Sequence, residues 1–224
     1  MALAAVEGLG SVTIRRVADK LGVTPMAFYW HFADKDALMA AISERLWDEV
    51  RAEIESAPGR DDGWGQLELV ASALVGVLRR HPACAALARI AVLGCESGLY
   101  VAERTLAFFA REGVAPERSA ELAHFLLTSA IAIASNRPGP DPEVRDGQEQ
   151  MRQKRLGLQA LPADLYPHVA ATAAFLVDCA DEDSYYQQGA EFVVGGIRTQ
   201  VASATAGPAP RDRAAPDEKL GTAP

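Results

Sequence analysis

The chain has 224 residues, 49% apolar and 23% charged, with a formal net charge of −8. That length and composition supply a sizeable core, and no run of about 18 or more apolar residues offers a membrane span. The three cysteines, Cys84, Cys95 and Cys179, are odd in number and far apart. This argues against a disulfide scaffold or a zinc site and for a reducing cytoplasm. The first residues lack the basic start and long apolar run of a secretory signal.

Residues 2–8 read as the end of an amphipathic helix, with Leu3 and Val6 inward and Gly8 and Gly10 closing it. Thr13 to Phe32 then reads as two short helices joined by a tight turn. Val17, Ala18 and Leu21 share one face of the first, Gly22 ends it, and Val23 plugs the turn. Thr24 is a good N-cap and Pro25 suits the first helical position. The second helix is aromatic: Met26, Ala27, Phe28, Tyr29, Trp30, His31. Such a pair is a helix-turn-helix, a unit that lays its second helix in the DNA major groove. Charge follows the motif: residues 1–50 hold five Lys/Arg against seven Asp/Glu, whereas residues 11–35 hold four (Arg15, Arg16, Lys20, Lys35) against two (Asp19, Asp34). So few cations make a weak, salt-sensitive reader, and two copies on a two-fold axis would double the contacts.

Asp34 caps a long helix running to about Ala57, with Leu38, Ile42, Leu46, Val50 and Ile54 recurring every fourth residue. A turn over Pro58–Gly63 follows, then a helix over 64–80. Pro82 starts a short helix to about Leu93, Gly94–Gly98 is a break, and Leu99–Arg111 is helical. Pro116 opens a strongly apolar helix over 118–135, and 136–142 is a loop. The Gln/Arg-rich stretch 143–161 suits a mobile helix or lid. Ala163–Cys179 and 183 to about 203 are the last two helices. Gly189, Gly195 and Gly196 inside the final helix cost roughly 1 kcal/mol each against alanine, which points to close backbone approach. The proline-bearing tail 205–224 suits disorder. No strand pattern or repeat occurs. The expected fold is all-α: a three-helix DNA-binding domain over 1–50, a larger ligand-binding and dimerisation domain over 51–204, and the tail.

The series Thr13…Val17-Ala18…Leu21-Gly22-Val23…Phe28-Tyr29-Trp30-His31-Phe32…Lys35…Ala37-Leu38 resembles the tetracycline-repressor (TetR) family of one-component regulators. Its most specific part is the Tyr-Trp-His-Phe block followed at once by the capped Asp34–Leu38 segment. The resemblance implies that Thr13, Arg15, Arg16, Thr24, Pro25, Met26, Ala27, Tyr29, Trp30, His31 and Lys35 face DNA. Arg15 would reach a base edge, Met26 and Ala27 thymine methyls or sugar, and Tyr29, His31 and Lys35 phosphates. For Trp30, packing against the long helix is the favoured reading, with a DNA-facing role as the alternative. With few polar readers, DNA shape would carry much of the preference.

By the same resemblance the helices over 118–135 and 183–203 form a four-helix interface between two subunits, using Leu122, Phe125, Leu126, Ser129, Ile133, Phe192, Val193, Gly196, Ile197 and Gln200. An ordinary buried helix within one subunit is the alternative. Residues 64–180 would enclose a mainly apolar pocket. Its candidate walls are Trp64, Leu67, Ala71, Leu74, Leu87, Ile90, Val101, Thr105, Phe108, Phe109, Phe125, Ile131 and His168, with His124 and Thr128 as a polar anchor. Where the tetracycline repressors carry a drug-contacting histidine and asparagine, this chain has Arg51 and Ala71. The expected effector is therefore not magnesium-chelated tetracycline but another small apolar or aromatic molecule.

Asp61-Asp62 and Asp181-Glu182-Asp183 are acidic runs at helix starts, where carboxylates suit the helix dipole. No phosphate-cradling glycine motif, Ser/His/Asp spacing or metal motif occurs, so no enzyme, cofactor or metal is expected. The reading is a homodimeric, cytoplasmic repressor that a small molecule releases from a pseudo-palindromic operator. The alternative is a helical ligand-binding protein with a decayed reading head, acting through protein partners.

Overall fold

A computed structural model describes residues 8–57, 63–136, 146–177 and 181–205. The expected helix over 2–8 (Gly8 apart), the turn over 58–62, most of the loop after Asn136 and the tail after Thr205 lie outside the described residues. Among the described residues every regular element is a helix.

Helix α1 (Ile14–Leu21) starts where the Thr13 side chain accepts a hydrogen bond from the Arg16 amide at 3.3 Å, and stops at Gly22, whose φ of 69° a side chain would disfavour. Helix α2 (Pro25–Tyr29) is capped by Thr24, which accepts from the Ala27 amide at 3.2 Å. The N-cap of α3 (Lys35–Ser56) is Asp34, accepting from the Ala37 amide at 2.8 Å. Thr24 and Asp34 are the caps that the sequence nominates, and Thr13 is a third that it does not.

The body comprises α4 (Trp64–Arg80), a 3-10 segment (Pro82–Leu87), the single-turn α5 (Ala88–Ala91), α6 (Glu96–Arg111), α7 (Pro116–Ser135), α8 (Gly147–Gln159), α9 (Pro167–Val177) and α10 (Glu182–Thr205). Helix α3 buries its expected stripe of Leu38, Ile42, Leu46, Val50 and Ile54, and beside it a second stripe of Met39, Ser43 and Trp47. It thereby packs against α4, the 3-10 segment, α5 and α6. Helix α4 is central, held between α3, α7 and α10 with Leu67, Val70, Leu74, Val77 and Leu78 all buried. Helices α8 and α9 pack chiefly on each other, and α8 buries no side chain.

Two glycine readings change. The expected break over Gly94–Gly98 is shorter, because α6 already begins at Glu96, with the Cys95 sulfur accepting from the Gly98 amide at 3.4 Å. Gly98 is there for proximity: a Cβ on it would lie 2.3 Å from the Val92 carbonyl oxygen. In α10 only Gly189 meets another helix of its own chain, where a Cβ would sit 3.1 Å from Ile133, whereas Gly195 and Gly196 have nothing within 4 Å.

Gly98→Ala is expected to destabilise the protein by about 1–3 kcal/mol or more, since backbone cannot yield as a side chain does. Gly157→Ala, in open space on α8, is expected to stabilise by roughly 0.5–1 kcal/mol. Urea unfolding midpoints at unchanged slope check both.

Candidate nucleic-acid interface and ligand cavity

Val12, Ala18 and Phe28 are buried, and the Phe28 and Phe32 rings stack at 5.0 Å. All eleven residues nominated to face DNA, from Thr13 and Arg15 to His31 and Lys35, are exposed.

Three neighbours lie differently from expectation. Leu21 is 66% exposed and Val23 is 42% exposed, although both were expected in the core. Helix α1 turns Ala18 inward, and Leu21, in its last turn, lies beyond what the five-residue α2 covers. Trp30 does not pack on α3: it is 85% exposed, at the C-cap of α2. Phe32, half-buried against the core, takes the inward place instead.

Behind the head, a cavity of about 290 Å³ lies among α3, α4, α6, α7 and the residues after α5. Its walls are Trp47, Val70, Leu74, Val92, Leu93, Val101, Ala102, Thr105, Leu106, Ala120, Ala123, His124, Leu126 and Leu127. No Asp, Glu, Lys or Arg lines it. A larger hollow along α8 is lined by residues 146–155 alone, on a helix that buries no side chain, so it makes a poor enclosure.

One wall is also a joint. The Trp47 indole N–H donates to the Ala88 carbonyl at 2.8 Å. One turn earlier the fully buried Ser43 hydroxyl donates to the Leu87 carbonyl at 2.6 Å and accepts from the Ala91 amide at 3.2 Å. These bonds tie α3 to the backbone where the 3-10 segment meets the single turn of α5. Further along α3, Glu49 meets His81 at 3.1 Å, Glu53 meets Arg80 at 2.5 Å, and Arg51 meets Glu96 at 2.9 Å.

Of the expected pocket residues, Leu74, Val101, Thr105 and His124 line this cavity. Leu67, Ala71, Leu87, Phe108 and Phe109 are buried in the core instead, and Trp64 packs edge-on to Phe108 at 4.9 Å. Ile90, Phe125 and His168 are exposed, and Ile131 is half-buried against the core. Thr128 turns its hydroxyl back to the His124 carbonyl at 2.9 Å, so it gives no anchor beside that ring. Arg51 is drawn to Glu55 and Glu96, whose carboxylates raise its already high pKa, and it lies over the Tyr100 ring at 4.8 Å. Neither Arg51 nor Ala71 lines the cavity. Among the described residues no group of three or more His, Cys, Asp or Glu is placed to hold a metal.

Four of the wall residues missed by sequence reading lacked a legible pattern. Trp47 belongs to the second α3 stripe, whose middle member, Ser43, is polar and masks the four-residue period. Ala102, Ala120 and Ala123 are small and carry no pattern of their own.

The face of α7 and α10 is mixed. Leu122, Leu126 and Ile197, expected between subunits, are buried in their own subunit, because each faces the core and Leu126 also faces the cavity. Phe125 and Phe192 are 53% and 76% exposed. Gly196 is exposed, Gln200 is exposed and accepts from Arg118 at 2.9 Å, and Ser129, Ile133 and Val193 are half-buried.

A helix-turn-helix with an exposed second helix, on an all-helical body with an apolar cavity, defines a DNA-binding regulator. The model of bacterial regulatory proteins of the tetR family matches residues 1–42, and that of the tetracyclin repressor-like C-terminal domain matches residues 56–201. The chain belongs to the TetR family of transcriptional regulators. An HTH-type transcriptional regulator of Saccharopolyspora erythraea is 28% identical over 206 residues, covering 90% of this chain and 80% of its own. The class A tetracycline repressor from transposon 1721 of Escherichia coli is 40% identical over 57 residues, 25% of this chain and 26% of its own. In fold, the chain is similar to ActR of Streptomyces coelicolor without ligand (TM-score 0.64, 24% identity, covering 88% of this chain and 91% of that one). ActR in complex with actinorhodin is similar too (TM-score 0.67, 22% identity, 91% and 93% covered). No single helix among the described residues is long and apolar enough to cross a membrane.

Trp47→Phe keeps the ring but leaves the Ala88 carbonyl unpaired, and is expected to cost about 1–2 kcal/mol of stability, read by urea denaturation.

Proposed function

We propose that the protein is a homodimeric, cytoplasmic repressor released from its operator by a small apolar or aromatic molecule. The observation that carries this is that α3 begins beside the exposed helix-turn-helix and supplies Trp47 to the cavity wall. An effector in the cavity therefore touches the element that bears the reading head. Residues 1–50 form that head, 51–204 the effector and pairing domain, and 205–224 a tail. The effector biases a swing of α3, and it shifts DNA binding only by its difference in affinity for the two states. The ActR–actinorhodin complex, a small molecule held on this fold, supports a ligand-responsive role.

Pairing is supported by Phe125 and Phe192, exposed on α7 and α10, and by Gly195 and Gly196, which have open space in one chain. A two-fold dimer sets its recognition helices about 34–36 Å apart, one turn of DNA. The alternative, a helical ligand-binding protein with a decayed head acting through protein partners, draws on the acidic balance: five Lys/Arg against seven Asp/Glu over residues 1–50, and −8 over the chain.

Fluorescence anisotropy with a duplex from the region upstream of its own gene tests both. Salt-dependent binding is expected, with Arg15→Ala weakening it by about 1–3 kcal/mol. Lys35→Ala should lower the slope of log K against log salt by about one. Absence of binding at low salt by a dimeric sample would favour the alternative. Phe192→Asp should convert the dimer to monomer by light scattering and remove most operator affinity.

A further inference from the structure

We infer that the effector is one-ended: it enters the cavity apolar end first and keeps its polar group at the His124 rim. The inference rests on reading this cavity as the effector site. Among the wall side chains only Trp47, Thr105 and His124 carry nitrogen or oxygen. The Trp47 N–H is committed to the Ala88 carbonyl at 2.8 Å and the Thr105 hydroxyl to the Val101 carbonyl at 2.8 Å. Both residues are buried, at 2% and 4% exposure. Both inner donors are thus engaged with backbone carbonyls, and the Thr105 hydroxyl could serve a ligand acceptor only by giving up its bond to Val101.

An acceptor or anion carried inward would lose its water and meet at most the Thr105 hydroxyl, a costly combination. His124 differs, being exposed while lining the cavity. Its ring offers an N–H at the rim, where water completes the solvation of a ligand's polar group. Leu93, 70% exposed and also on the wall, gives that rim an apolar lip. At about 290 Å³ the space lies near the lower end for small-molecule sites, so one compact apolar body fills it. The class selected is a hydrocarbon or aromatic body with polarity at one end only.

Isothermal titration calorimetry on the full chain with biphenyl-4-carboxylate and biphenyl-4,4′-dicarboxylate tests this. The monoacid leaves its charge at the rim, whereas the diacid must bury one. The monoacid is expected to bind and the diacid to bind at least about 100-fold more weakly. His124→Ala, at an exposed position, should weaken the monoacid several-fold, and Ala123→Phe should abolish its binding by filling the cavity. A diacid within threefold of the monoacid, a monoacid indifferent to either substitution, or no monoacid binding up to its solubility limit would overturn the inference. Operator affinity measured in the same solutions separates the two readings. Monoacid binding with the expected pattern but unchanged operator affinity would keep the one-ended cavity and remove its effector role. Release of DNA by a two-ended compound alone would do the reverse.

Discussion

The structure depends on how α3 holds the segment from Leu87 to Ala91. That segment joins a 3-10 stretch to a single helical turn, and buried side chains of α3 hydrogen-bond to its backbone. Ser43 bridges one carbonyl and one amide, and Trp47 takes a second carbonyl. A buried backbone group without a partner costs about 1–3 kcal/mol. The helix and the segment are therefore bound to one another, and the ring that makes one of these bonds is also a cavity wall. Packing, hydrogen bonding and ligand access meet on two successive turns of one helix.

Much of the architecture was legible because the signals were local. Thr24 and Asp34 are caps by chemistry, and each accepts an amide hydrogen bond three residues on. The four-residue stripe from Leu38 to Ile54 is buried throughout. The reading failed where a residue's environment is set by distant chain. Gly98 looked like a breaker and is a spacer for the Val92 carbonyl. Phe108 and Phe109 looked like pocket aromatics and are core, because α6 turns Val101 and Thr105 to the cavity instead. Trp47 stayed hidden because its stripe runs through a serine. Of the nominated pocket, the four members that line the cavity sit on three helices, α4, α6 and α7, and periodicity alone gives no relation between helices.

The surface divides its labour in a similar way. Among the described residues ahead of α3, Val12, Ala18 and Phe28 are buried, Leu9, Ile14, Val17 and Phe32 pack against the core, and the nominated aromatic and basic residues face outward. At the other end of the molecule, α10 places Gly189 against Ile133 and leaves Phe192 in water. The same helix thus packs tightly on its own subunit along one edge and presents an unfilled apolar edge along another.

The straight run of α3 has a mechanical consequence. Its 22 residues span about 33 Å, and Trp47 stands about 18 Å from the end at Lys35, at 1.5 Å per residue. The helix is then a lever with its fulcrum near the cavity and its load at the helix-turn-helix. A tilt of about 5° at Trp47 carries Lys35 roughly 1.6 Å sideways by this rise. In a two-fold pair the shifts add to roughly 3 Å across the two heads, about the stacking distance of one base pair. In the two-fold pair proposed above, a side-chain displacement too small to disturb the core would be enough, at the far end of the arm, to spoil the register of two helices against one turn of DNA.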